Sequence, residues 1–335
     1  MNPETNTSRK PSGAPFESAQ AEAMISAPWI TLATPTYNRR RELQRLYDSL
    51  LALRAATAPE ISFEWLIIDD GSTDGTSAQV ALWTADDRLP IRYFYQENRG
   101  KHVADNRAVE LARGEMILSI DSDDELTPDA LNLFHDTWYS LTDDERAGLK
   151  GVTARCIDPA TGRLVGTPLP RRHNGGHFLI ASPQDLRHRY HVRGEMVGFT
   201  RRDILLQYPH EIKPDVGKFM PEGIIWYSIG KKYKEYVIDK PARLYHQDEG
   251  GAIMSGGSRN RAPQNYYLWQ YQVNNLLSRY LFRDPKNMLK AAVGMSMDGF
   301  RTGRSLATIL RDSHGFLPRL AVLSLMPAGW LLSKR

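Results

Sequence analysis

From about residue 28 the chain alternates short apolar runs with segments whose leucines recur every three or four positions. WITLAT (29–34), FEWLIID (63–69), IRYFY (91–95) and MILSI (116–120) are apolar over most of their length, as strands buried on both faces are. Between the first two, RRELQRLYDSLLALR (40–54) sets Leu43, Leu46, Leu50 and Leu53 on one helical face. A second helix is predicted from about Asp74 to Thr84, and a third over KHVADNRAVELARG (101–114), closed by Gly114 as its C-cap. Thr127 and Pro128 open a fourth, with Pro in its first turn. This alternation predicts an α/β fold: a Rossmann-like, mostly parallel sheet flanked by helices.

The second half changes character. VTARCIDPATGRLVG (152–166) reads as a strand, a turn and a returning strand, and GEMVGFTRRDILLQYP (194–209) as a strand and a short helix. Residues 220–248 read as a helix after Glu222, a strand YVID and a separate strand ARLYH. A Gly- and Ser-rich loop (249–259) then leads to helices at about 263–282 and 286–312. The expected organisation is a disordered leader over 1–27, a first half over 28–140, a second over 141–258 and a helical extension over 259–335. The leader carries Glu4 and no apolar stretch, unlike a signal peptide.

In a doubly wound sheet, ligands bind beyond the carboxyl ends of the strands. PTYNRR (35–40), DDGSTDG (69–75), QENRGK (96–101) and DSDDE (121–125) leave the four strands and should meet at one edge. Asp121, Asp123, Asp124 and Glu125 fall within five positions. Two unit charges about 4 Å apart repel by ~4 kcal/mol at an effective dielectric of 20, so the acids either splay into water or gather a cation. Paired Asp oxygens suit Mg2+ or Mn2+; a solvated turn whose Asp or Thr127 caps the next helix is the plainer reading. Asp69 and Asp70 end a strand on the same edge, where a carboxylate can accept from a base or a ribose hydroxyl, or simply build the turn. Tyr37 can stack on a base or pack at the rim. No Walker or GxGxxG glycine motif is present.

PTYNRR, LIIDDGSTDGT and QENRGKHVADNRAVELARGEMILSIDSDD together resemble the nucleotide-sugar half of the family 2 glycosyltransferases, of GT-A fold, in order and spacing from about Ile30 to Ser140. Weaker similarity runs through EMVGFTR and FMPEGIIW to about Ser258. The resemblance implies an inverting, Mn2+- or Mg2+-dependent transfer of a sugar from a nucleoside diphosphate, UDP by family habit, to a hydroxyl. It puts Pro35, Thr36 and Tyr37 along the nucleoside, Asp69 at the base or ribose and Lys101 near the nucleotide. Asp121 and Ser122 then lie by the ribose, and Asp123, with Asp121, holds the metal. His246 is a further candidate ligand, or a strand-end residue. Glu222 falls where the family carries its catalytic acid, although Gly223 follows it here in place of Asp; the plain reading is an acid at a helix N-terminus. Arg259 and the 249–259 loop would form a lid over donor, or a linker. Rivals are a sugar nucleotidyltransferase, which would want a Gly- and Arg-rich loop after the first strand, and a non-catalytic sugar-nucleotide-binding module.

Composition adds little. A net charge of +4 over 335 residues asks for no nucleic-acid partner. Cys156 is the one cysteine, so no internal disulfide forms and a cytoplasmic setting is expected. The C-terminus, GFLPRLAVLSLMPAGWLLSKR, is interrupted by Pro318, Arg319 and Pro327, too broken for a span. It reads either as a segment lying at the inner face of a membrane or as a terminal helix on the protein's own body. A glycan or lipid-linked glycan acceptor in surface polysaccharide synthesis fits the first alternative.

Overall fold

Residues 27–170, 178–246 and 260–334 are described by the structure, a computed structural model. The leader as far as residue 26 and the 249–259 loop with Arg259 lie outside them.

The first half is built as the apolar rhythm predicts. β1 (Ile30–Thr36), β2 (Phe63–Asp69), β3 (Ile91–Tyr95) and β4 (Met116–Ser119) alternate with α1 (Arg40–Ala56), α2 (Thr76–Asp86) and α3 (Lys101–Leu111). All are parallel, in the order β3-β2-β1-β4. The four predicted leucines of α1 are buried on one face of the sheet with Trp65 and Trp83, and Tyr47 stacks on Trp83 at 4.4 Å. On the other face Ala104, Ala108 and Ala112 let α3 lie close against Ala33, Leu66 and Ile68.

The chain steps from β1 to β2 to β3, then returns to place β4 on the far side of β1. That reversal is a topological switch point, and it opens a crevice between the exits of β1 and β4. PTYN and DSDD are the two loops that border it.

β5 (Glu125–Leu126), α4 (Ala130–Tyr139), α5 (Asp143–Ala147), β6 (Leu149–Asp158), β7 (Arg163–Leu164), β8 (Phe178–Ala181), α6 (Pro183–His188), β9 (Met196–Arg201), α7 (Arg202–Leu205), α8 (Gly223–Ile229) and β10 (Lys234–Leu244) follow. β9 runs antiparallel between β4 and β6, which joins the two halves in one sheet, β3-β2-β1-β4-β9-β6-β10-β5. α9 (Ala262–Asn275), α10 (Leu277–Tyr280), α11 (Pro285–Arg301), α12 (Leu306–Arg311) and α13 (Phe316–Ser333) form the helical extension.

Some elements differ from the sequence reading. α3 ends at Leu111, and Gly114 is no C-cap: a Cβ there would stand 2.6 Å from the backbone N of Thr31, so the glycine serves close approach. YVID and ARLYH are one strand, β10, whose pairing with β6 slips on either side of Pro241, which has no N–H to give. The two long helices expected after residue 262 are each broken, the second by Gly303 at φ +75°. α13 is continuous. Pro318 sits in its first turn, where no N–H partner is required, and Pro327 lies inside it.

Candidate active site

Three strand exits are stitched together by their own polar residues. Asn38, at φ +51°, donates its N–H to Ser72 Oγ (2.9 Å) and accepts from the Thr73 N–H (2.8 Å), tying the β1 exit to the β2 exit. Asp69 is wholly buried; it accepts from the Ser72 N–H at 2.7 Å and from the Tyr93 hydroxyl at 2.6 Å. Burial and that bond push the Tyr93 phenol up. Asp70, rather than Asp69, reaches the cleft wall. Its carboxylate accepts from Gln96 Nε2 (2.8 Å) and from the N–H groups of Arg99 (2.9 Å) and Gly100 (2.8 Å), fixing the loop that begins α3.

That loop delivers Lys101. Its Nζ lies 2.5 Å from Glu222 Oε1 and 3.4 Å from both Asp121 Oδ1 and Asp105 Oδ2. Burial works against its charge, but the three carboxylates win and hold the ammonium well above its usual range. Asp105 is the most enclosed acid of the four groups. Burial, with Glu222 and Asp121 adding to it, pushes its carboxyl up to about 7 against the pull of Lys101.

The acids of DSDD resolve into two kinds. Asp121, Asp123 and Asp124 bring carboxylate oxygens within 4.8 Å of one another. The Asp121 and Asp123 side chains are 47% and 36% exposed, whereas that of Asp124 is 6% exposed and lies 2.8 Å from Arg243 Nη1. Burial pushes Asp124 up to about 7, Arg243 opposing and the neighbouring carboxylates assisting. Asp121 is held below the usual carboxylate range, since Lys101, Arg243 and Arg39 outweigh its burial. Arg39 Nη1 is 3.0 Å from Asp123 Oδ2, and Arg45 donates to the Asp123 carbonyl. The repulsion among the acids is therefore met by Arg39, Lys101 and Arg243. Asp121 and Asp123, hard oxygen donors open to the cleft, fit a Mg2+ or Mn2+ ion; Asp124 is committed to Arg243.

Pro35, Thr36, Tyr37, Lys101, Asp121, Ser122, Asp123, Glu222 and His246 all line one cleft of about 1090 Å3. Pro35 and Thr36 are buried at the end of β1, and Tyr37 is 48% exposed at the rim. Ser122 is nearly buried. Glu222 stands at the N-cap position of α8, but its carboxylate makes no capping bond and pairs with Lys101 instead. His246 Nε2 lies 2.6 Å from Glu125 Oε1, and the three Asp carboxylates group without it. Asp69 stands behind the wall. Sequence reasoning did not single out Arg39, Asp105 or Arg243. Asp105 had a signal, being four residues after Lys101 on one helix face; Arg243 had none.

Residues 31–144 match the family described as Glycosyl transferase family 2. Over 256 residues the chain is 35% identical to a relative named Uncharacterized glycosyltransferase YibD, of Escherichia coli, covering 73% of this chain and 70% of that protein. The chain belongs to glycosyltransferase family 2. This glycosyltransferase is also 34% identical over 105 residues to TuaG of Bacillus subtilis, named for teichuronic acid biosynthesis, across 31% of this chain and 39% of TuaG. Its fold is that of S. aureus TarS 1–349, solved in complex with UDP-GlcNAc: TM-score 0.52 at 16% identity, covering 91% of this chain and 90% of that one. The architecture is thus GT-A, with a helical region at the C-terminus.

Proposed function

We propose that this glycosyltransferase moves a sugar from a UDP-sugar to a hydroxyl of a glycan or lipid-linked glycan, inverting the anomeric carbon, in surface polysaccharide synthesis. The observation that carries this reading is the Lys101 bridge, which holds Glu222 of the second half against Asp121 of the first. On this reading Lys101 links the donor side of the cleft to its base.

The DSDD carboxylates and the β1 exit receive the nucleotide, with Tyr37 at the rim against the base. Asp121 and Asp123 would hold a Mn2+ or Mg2+ ion, which would offset charge on the leaving diphosphate. Glu222 takes the proton of the acceptor hydroxyl as its oxygen bonds to the anomeric carbon and the bond to the diphosphate breaks. A single displacement inverts, and one base serves it. Lys101 keeps the Glu222 carboxylate oriented. The enzyme works at the inner face of the membrane, with α13 against the lipid.

Calorimetric titration with Mn2+ and UDP tests the donor side. Asp123→Ala is expected to weaken nucleotide binding at least tenfold, roughly 1.4 kcal/mol or more. Equal binding by parent and variant would remove the metal site from the proposal.

A further inference from the structure

Part of the cleft wall is made of helices instead of strand exits. It carries Arg187 and His188 at the end of α6, Tyr227 on α8, Trp269 on α9, and Asn287 and Lys290 on α11. His188 is 1% exposed, with Nδ1 2.8 Å from Asp284 Oδ2. Asp284 also accepts from Asn287 Nδ2 (2.8 Å). Burial opposes the Asp284 charge, but these two donors hold its carboxyl below the usual range, so it is an acceptor only. The Nδ1 of His188 therefore carries the proton, and in the neutral ring Nε2 offers a lone pair. That Nε2 is buried and has no hydrogen-bond partner among the described residues.

A tie between α6 and α11 would account for the Nδ1 bond. It leaves the orphaned Nε2 unexplained, and such groups in native sites call for a partner. It also leaves two cations unexplained. Arg187 and Lys290 are exposed on the same wall and form no ion pair among the described residues, Lys290 lying 5.9 Å from the Trp269 ring centre.

We infer that this wall is an acceptor subsite for a sugar bearing a phosphate or a carboxylate: Arg187 and Lys290 pair with the anion, and His188 Nε2 accepts a hydrogen bond from a neighbouring sugar hydroxyl. The inference rests on the proposed function, since it describes the acceptor of that reaction. Its place suits the role. Tyr227 follows Glu222 by five residues along α8, ~7.5 Å of helix rise, so base and subsite share one rigid element.

The test uses the full chain, with and without UDP and Mn2+, and saturation-transfer NMR with three probes: glucose 1-phosphate, glucuronate and methyl glucoside. Glucose 1-phosphate or glucuronate should bind at least tenfold more tightly than methyl glucoside, and whichever does so names phosphate or carboxylate as the anion. The double variant Arg187→Ala, Lys290→Ala, exposed at both positions, should abolish that preference and leave UDP affinity unchanged. His188→Gln, compared with the parent at a temperature where both are fully folded, should weaken all three probes. Equal binding of charged and neutral probes by the parent, or a charge preference that survives the double variant, overturns the subsite. Loss of UDP binding with the anion preference intact would instead overturn the donor assignment.

Discussion

Lys101 is a cation at the first turn of a helix, where the helix dipole opposes it. It stays because Asp105, Asp121 and Glu222 surround it. The sequence singles out Lys101, Asp121, Asp123 and Glu222, and the fold brings all four to one cleft. Asp69 and Asp70 show what a sequence cannot separate: strand alternation turns one inward to its own loop and the other to the wall, a difference of one position. Glu222→Gln keeps size and loses the proton acceptor. Turnover of UDP-sugar should fall by about 10²- to 10⁴-fold with UDP affinity retained, because Lys101 still has Asp121 and Asp105; normal turnover would end the base assignment. His210 gives a pH signature. Burial pulls its imidazole down to about 4, and its Nε2 lies 3.8 Å from Asp105 Oδ2. Between pH 6.5 and 4 the unfolded chain takes up a proton that the native His210 refuses, so this residue removes stability as pH falls, by roughly 3 kcal/mol at most. Asp105 acts with the opposite sign. Its raised carboxyl keeps a proton in the native state up to about 7, which favours folding at low pH. In urea unfolding, His210→Gln should therefore gain on the parent steadily from pH 6.5 to pH 4. A constant difference would show that His210 titrates normally.

At the scale of elements, the first half was legible because β1 and β2 are buried along their whole length and α1 buries its leucines on one face, so period and burial agree; β3, at the edge of the sheet, is only partly buried. The second half was less so. β8 and α6 went unread because the FLIA and PQDLRH segments are only four and six residues long, too short for a period. β10 was split in two because Lys240 and Pro241 interrupt the apolar run; the slip in pairing lets the strand absorb them. One loop joins the halves at close range. Gly100, at φ +101°, begins α3, and a Cβ there would lie 2.2 Å from the Lys218 carbonyl oxygen and 2.5 Å from its Cα. Backbone stands on both sides, so nothing flexible can give. Gly100→Ala should cost about 2 kcal/mol or more, a fall on the order of 4 °C in thermal midpoint. By moving Lys101 it should also raise the KM for UDP-sugar. A variant with the parent's midpoint and KM would mean that the approach of the 96–101 loop to Lys218 is loose.

For the molecule as a whole, the extension raises the question of what α13 faces. This helix is 18 residues long with a mean hydropathy of 1.4, long and apolar enough by those measures to cross a membrane. Yet Val322, Met326 and Gly329 are buried, and Gly329 packs so closely that a Cβ there would meet Ser296 of α11 at 2.5 Å. One face of the helix is thus docked on α11. Its other side is open: Phe316 is 82% exposed, Leu323 53% and Trp330 51%, with Leu320 and Leu331 on the same stripe and Arg319 and Lys334 exposed near its ends. That arrangement suits a helix lying in the interface of an anionic leaflet. Truncation before residue 316 is a poor test, because it would uncover the buried side of α11. Leu320→Glu, Leu323→Glu, Trp330→Glu alters the open stripe alone. Each half-exposed side chain contributes ~1 kcal/mol on transfer to lipid, so the triple variant should sediment with anionic vesicles at least tenfold more weakly. Its thermal midpoint should hold, and raised salt should weaken the parent's binding through Arg319 and Lys334. If parent and variant partition alike, the stripe is ordinary surface and the glycosyltransferase meets its acceptor in water.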